Sequence, residues 1–388
     1  MFRLKSTIRG LLVLITLVAG SLQAIIPKAP EMSAKAYVLM DFDTGQILVS
    51  KNADLQIPPS SLTKMMTSYV MSDEVAKGNI SYQDKVVVSK KAWAKNFPDS
   101  SLMFIEVGTE VLLEDLKRGL IISSGNDASI AIAEHIAGSE QGFSQLMNHH
   151  AKRLGMLDTF FENSNGLPLE NHLTTAHDMA ILTQALIRDF PDDYAVYKEK
   201  EFTYNNIRQY NRNSLLWDRS MAVDGVKTGH TEEGGYSLVT SATRDNMRLI
   251  SVVLGTESKN ARKQQNKQLL NYGFRFYETV EPVQPGQILH QQRVWYGAKE
   301  KLALGLEKTV LITIPRGEGN KLKANFSMEQ ELEAPIKKGQ KLGTVFFELD
   351  GEKVKELPLV ALEDIAEVGL WGQFTDYVAR KVDGWVND

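Results

Sequence analysis

The sequence predicts an α/β protein of the α+β kind, with an antiparallel sheet flanked by helices and followed by a small β-sandwich. Three observations carry this. Strand-like alternation stands near residue 40 and again near residue 245, and segments of helical period fill the space between them. Past a break at residues 281–286, where two prolines and a glycine interrupt the helical period, only short strand-like runs remain.

Taken in order, residues 1–24 come first. Arg3, Lys5 and Arg9 precede an apolar run from Leu11 to Ala19, and small residues follow up to Ala24. This is the pattern of a cleavable export signal, and the run is too short for the ~20 residues of a spanning helix. Its removal takes three of the 44 basic residues and none of the 48 acidic ones, so the formal charge moves from −4 to about −7. Residues 36–40 and 46–49 flank a turn and read as an antiparallel pair. Helical spacing over 62–75, 112–122, 129–136 and 179–186 predicts a helical cluster. Strands follow at 236–242 and 248–254, completing a first domain over 25–283.

Beyond the break, 309–314, 321–328 and 343–349 read as strands separated by turns, which predicts a β-sandwich over 287–362. The last segment, 363–388, puts Trp371, Phe374, Val378, Val382 and Trp385 on one helical face, with Leu370 and Tyr377 beside them. Such a face suits a helix lying on a membrane surface. Acidic residues outnumber Arg380 and Lys381 there, so anchoring rests on aromatic burial.

Composition removes several function classes. The acidic balance leaves no basic footprint for nucleic acid. With no cysteine, disulfides and thiolate metal sites are excluded, and no H-E-x-x-H pattern is present. The adjacent His149 and His150 lie in a helix-like stretch, where neighbours point apart, and read as surface residues. No metal or cofactor is expected.

Three motifs stand in fixed order: Ser61-Leu62-Thr63-Lys64, Ser124-Gly125-Asn126 and Lys227-Thr228-Gly229. A serine hydroxyl is a poor nucleophile at neutral pH, and a lysine three residues along a helix lies one turn away on the same face. To take the proton, Lys64 must be neutral. Partial burial near a second cation, such as Lys227, would depress its pKa. Only Ser61 among the serines has lysine three residues on, and of the S-x-N strings only the one at Ser124 lies between the outer motifs. The stretch 121–127 reads as a helix end, a tight turn and a new helix start. Lys227-Thr228-Gly229 alone would be a turn at a strand edge. Ser60, after Pro58-Pro59, reads as a helix N-cap, which leaves Ser61 as the nucleophile.

With these motifs, Pro58 to Val70, Asn211 to Asp218, Asp224 to Thr231 and Gly273 to Val280 resemble the D-alanyl-D-alanine carboxypeptidases of the penicillin-binding protein five and six type, and the resemblance spans nearly the whole chain. It implies a β-lactamase/transpeptidase-like domain and an oxyanion hole formed by the backbone N–H groups of Ser61 and His230. It also implies that Lys227 and Thr228, next to Gly229, face the substrate's terminal carboxylate, that Arg212 and Arg262 stand near the site, and that Asn126 binds the substrate amide. The implied substrate is the peptidoglycan pentapeptide stem, and β-lactams should acylate the same serine. An export signal and a surface helix place such an enzyme in the periplasm, on the outer face of the inner membrane. Glu162 lacks the E-x-x-L-N spacing of class A β-lactamases, so rapid antibiotic hydrolysis is not expected.

Overall fold

The computed structural model describes residues 26–328 and 331–387, so the expected export segment lies outside the described residues. The first part runs β1 (Ala36–Asp41), β2 (Ile47–Lys51), α1 (Thr63–Ala76), β3 (Lys85–Val87), β4 (Glu110–Leu112), α2 (Leu113–Arg118), α3 (Asn126–Ala137), α4 (Glu140–Leu154), α5 (Ala176–Asp189) and α6 (Pro191–Tyr194). Then come β5 (Glu201–Tyr204), β6 (Ile207–Tyr210), β7 (Ala222–Thr231), β8 (Gly235–Arg244), β9 (Met247–Thr256) and α7 (Lys259–Phe276).

Five of these strands form one antiparallel sheet in the order β2-β1-β9-β8-β7. Strand period decides its layering. Ala36, Val38 and Met40 of β1 face the cluster built by Leu62, Met65, Met66 and Tyr69 of α1 and Met179, Leu182 and Leu186 of α5. Tyr37 and Leu39 face the other way, onto Leu269, Leu270 and Phe274 of α7. Every residue of β1 is therefore buried. Helix α7 carries no strong apolar stripe because Arg262, Gln265 and Asn266 are buried beside its leucines, which is why periodicity alone missed it. At Gly273 a Cβ would run into Leu249 and Leu39, so the missing side chain sets how closely this helix meets the sheet.

Two local expectations change. Ser60 is not an N-cap: no side chain caps α1, and Ser60 opens a short 3₁₀ turn, Ser60–Leu62, in left-handed backbone with φ 49°. The chain has turned sharply there because the two preceding prolines bar helix, and the 3₁₀ turn supplies the entry instead. His150 is buried, whereas His149 is exposed. Its ring lies against Tyr69, with Nε2 3.5 Å from Asp73, and burial lowers its pKa to about 4. Helix α4 has two flanks, and one of a pair of neighbours still meets the core.

The second part contains β10 (Tyr277–Val280), β11 (Ile288–Trp295), β12 (Lys301–Gly305), β13 (Ile312–Pro315), β14 (Lys323–Met328), β15 (Leu332–Glu333), β16 (Lys341–Leu349) and β17 (Glu352–Ala361), ending in α8 (Leu370–Asn387). A six-stranded sheet, β14-β16-β17-β12-β11-β15, stands beside the ribbon β10-β13. Ile312 and Ile314 of the ribbon pack on Val345 and Phe347 of the sheet. The junction to the first part is polar, with Thr279 Oγ1 donating to Asp41 Oδ2 at 2.5 Å and Thr44 and Thr313 hydroxyls 2.6 Å apart. Helix α8 exposes Leu370, Trp371, Phe374, Tyr377 and Val378, and the side chains of Val382 and Trp385 lie outside the described set. Its other flank is tied down: Asp376 accepts the N–H of Tyr296 at 2.7 Å, and Arg380 pairs with Glu331 and Glu333. Among the described residues, no helix is long and apolar enough to cross a membrane.

Candidate active site

The three motifs meet at one cleft of about 1100 Å³ between the edge strand β7, the N-terminus of α1 and the turn before α3. Ser61 is held in the 3₁₀ turn, and Lys64 follows in the first turn of α1 with 1% of its surface exposed. Lys64 Nζ donates to Asn126 Oδ1 at 2.7 Å and to the carbonyl of Asn165 at 2.6 Å, and lies 3.3 Å from Ser61 Oγ. A neutral amine has two N–H bonds and one lone pair. With both N–H groups taken by the two short acceptors, the lone pair is left for the Ser61 hydroxyl.

Lys64 can be neutral. Burial first, then the charge of Arg212, depresses it to about 7, while Asp127 opposes. Lys227 is not the tuning cation expected from the sequence. Lys227 is itself buried and held well below its ordinary value by burial, then by Lys64, Arg212 and Arg262. A lysine that sheds its proton this readily is a weak source of field, whereas a guanidinium keeps its charge.

Across the cleft, Lys227 Nζ donates to Ser124 Oγ at 2.8 Å. Ser124 has φ 60° and ψ 34° and ends the π-helical turn Gly119–Ser123, so the helix break expected at 121–127 is built by a left-handed residue. Asn126 begins α3, with its amide nitrogen donating to Ser100 Oγ. Its side chain therefore links Lys64 to the 99–101 segment as well as lining the cleft. Lys227, Thr228 and Gly229 lie well inside the ten-residue strand β7 rather than in a turn. As an edge strand, β7 leaves alternate backbone N–H and C=O groups outside the sheet, open to an extended ligand. Gly229 is required, because a Cβ there would meet Ser60 Oγ and the Pro59 carbonyl.

Thr228, His230, Arg212 and Arg262 all line the cleft. The His230 ring is exposed and stacks on Tyr236, with centroids 3.9 Å apart. Arg212 is accessible from within the cleft, yet the surrounding protein still lowers its pKa. Arg262 is buried, is lowered to about 10 by burial, and donates from Nη1 to the carbonyls of Gly229 at 2.8 Å and Ser237 at 3.3 Å. It braces β7 against α7. Glu162 does not line the cleft, and its carboxylate accepts the N–H of Asn171 at 3.0 Å.

Sequence reasoning missed two participants. The Asn165 carbonyl is invisible to motif reading because it is main chain. Asp127 directly follows the S-G-N string and could have been singled out. Its buried carboxylate accepts the N–H groups of Met103 and Phe104 at 2.8 Å and of Ala128 at 2.9 Å, fixing the irregular segment that follows Ser100 and Ser101.

A family model described as D-alanyl-D-alanine carboxypeptidase matches residues 23–258, and one described as penicillin-binding protein 5, C-terminal domain, matches 277–367. The chain belongs to the D-alanyl-D-alanine carboxypeptidase family. It is 46% identical over 362 residues to the D-alanyl-D-alanine carboxypeptidase DacC of Escherichia coli, covering 92% of this chain and 90% of that one. DacF of Bacillus subtilis is 36% identical, with 91% and 90% covered. Penicillin-binding protein 5 from Haemophilus influenzae superposes with a TM-score of 0.84 at 44% identity, over 88% of this chain and 100% of that structure. Penicillin-binding protein D2 from Listeria monocytogenes, solved in a cefotaxime-bound form, gives 0.59 at 27% identity, over 64% and 100%.

Proposed function

We propose that this carboxypeptidase removes the terminal D-alanine of peptidoglycan pentapeptide stems through an acyl-enzyme on Ser61. The observation that carries the reading is a buried lysine, lowered to about 7, whose two N–H groups are already bonded and which stands 3.3 Å from the Ser61 hydroxyl. Lys64 takes the Ser61 proton as Oγ attacks the D-Ala-D-Ala carbonyl. The developing oxyanion accepts the backbone N–H groups of Ser61 and His230. The proton taken up by Lys64 goes on to the leaving amine through Ser124, whose hydroxyl gives up one proton as it receives another while Lys227 holds its oxygen in place. Thr228 and Lys227 face the terminal carboxylate as hydrogen-bond donors and Arg212 supplies the positive charge, Asn126 engages the substrate amide, and water then releases the shortened stem. A β-lactam acylates the same Ser61. With Glu162 turned to Asn171 and absent from the cleft, no carboxylate of that loop is placed to drive fast deacylation.

The same reading divides the chain into an export signal over 1–24, a catalytic domain over 25–283, a β domain over 287–362 and a membrane-surface helix over 363–388. It places the mature enzyme in the periplasm, on the outer face of the inner membrane, with the exposed Leu370, Trp371 and Phe374 as its apolar contact. The test treats the mature protein with penicillin, maps the adduct by mass spectrometry and measures D-alanine release from pentapeptide. An adduct on Ser61, lost in Ser61→Ala, with stoichiometric D-alanine release is expected. An adduct elsewhere overturns the site, and loss of crosslinked dimers without D-alanine release replaces the carboxypeptidase with an endopeptidase.

A further inference from the structure

We propose that His172 is a positioning residue for the Ser61–Lys64 pair, acting through Thr63 and the 162–167 segment; the inference rests on the acyl-serine reading above. His172 lies in the loop before α5, is 1% exposed, and does not line the cleft. Its ring meets Phe161 edge-on, with centroids 5.8 Å apart. Nδ1 accepts the N–H of Glu162 at 3.4 Å, which puts the ring proton on Nε2, and Nε2 donates to Thr63 Oγ1 at 2.9 Å. Burial, then the charge of Lys64, keeps the imidazole neutral, its pKa lowered to about 4. The charge that acts on it is Lys64 of α1, and the carboxylate of the neighbouring Glu162 is turned to Asn171.

His172 thus fastens two things together. One is Thr63, the first residue of α1, standing between the nucleophile and its base. The other is the start of the segment whose Asn165 carbonyl takes one N–H of Lys64 at 2.6 Å. That segment already lies as low on α1 as it can, because a Cβ on Gly166 would run into the Ser60 carbonyl and Thr63 Oγ1. Its height decides whether the Asn165 carbonyl reaches Nζ. If the clamp is lost and the carbonyl withdraws, the amine can rotate and present N–H, in place of its lone pair, to Ser61. Chemistry then slows while the first encounter with ligand is unchanged, since His172 touches nothing in the cleft.

The experiment is stopped-flow acylation of the full mature chain by a chromogenic cephalosporin, separating the encounter dissociation constant from the first-order acylation constant. Wild type is compared with His172→Leu, His172→Asn and His172→Gln, each checked by thermal melting. A glutamine amide nitrogen can reach the Nε2 position and keep the bond to Thr63, whereas leucine and asparagine cannot. Acylation should fall by at least about tenfold in His172→Leu and His172→Asn, with the encounter constant within threefold of wild type, and His172→Gln should recover most of the rate. Wild-type acylation in the leucine and asparagine variants, equal loss in all three, a change confined to the encounter constant, or failure of both loss variants to fold would each overturn the proposal. A wild type that forms no Ser61 adduct instead overturns the acyl-serine reading, and this inference with it.

Discussion

Replacing Lys64 with methionine should abolish acylation and, at the same time, change how stability depends on pH. In the folded chain Lys64 loses its proton at about 7, against an ordinary value of 10.5. At pH 7 about half of it is then neutral, where an unperturbed lysine would be ~0.03% neutral, so the environment raises the supply of base roughly a thousandfold. The same depression carries a stability cost. Below pH 7 both folded and unfolded chains hold the proton, and burying the ammonium carries its full penalty. Between 7 and 10.5 the unfolded state binds more protons than the folded one, so stability rises with pH by ~1.4 kcal/mol per pH unit from this group. Lys64→Met lacks this dependence. It orphans the Asn126 and Asn165 acceptors, at ~1–3 kcal/mol each, but equally at every pH.

Urea unfolding of both proteins at pH 6, 7 and 9 isolates the lysine. The stability advantage of wild type over Lys64→Met should grow by roughly 2.3 kcal/mol between pH 7 and 9 and by only ~0.4 kcal/mol between 6 and 7. Relief of Lys227 in the variant acts in the same direction. A difference that stays constant from pH 6 to 9 would refute a depressed Lys64, and with it the role of base.

Arg212→Gln removes a cation that lowers both lysines, so the acidic limb of the acylation profile, half-maximal near pH 7 in wild type, should move to higher pH; a pH series of penicillin acylation rates reads it. Gly229→Ala forces β7 away from Ser60 and Pro59, and overpacking of this kind costs ~1–3 kcal/mol, with acylation falling by about a hundredfold; thermal melting and adduct formation measure the two. Asp127→Asn replaces one carboxylate oxygen with a donor facing backbone N–H groups. A stability loss of ~2–4 kcal/mol by urea titration is expected, and removal of the negative charge should lower Lys64 further, shifting the acidic limb downward.

Much of the site was legible because its parts are local. Ser61 and Lys64 are one helical turn apart, and that spacing follows from the backbone alone. The helix break at 121–127 was legible from its residues, although its left-handed Ser124 was not. Taken alone, Lys227 to Gly229 reads as a turn at a strand edge because Gly and Thr are common in turns, and only pairing with β8 places the stretch inside a strand. Ser60 and His150 were misplaced for a related reason: one turns against Gly229 and the other against Asp73, partners far away along the chain.

By itself the sequence determined which residue types could perform acyl transfer, their order, and that a β-rich part follows the first one. The tertiary structure alone decided that Lys64 is dry, that Asn126, Asn165 and Arg212 surround it, and that Lys227 reaches Ser124 across the cleft. The physical reason is one of range. Helical and strand spacing are set by neighbours in the chain, whereas desolvation and charge fields depend on whatever the fold brings within a few ångströms.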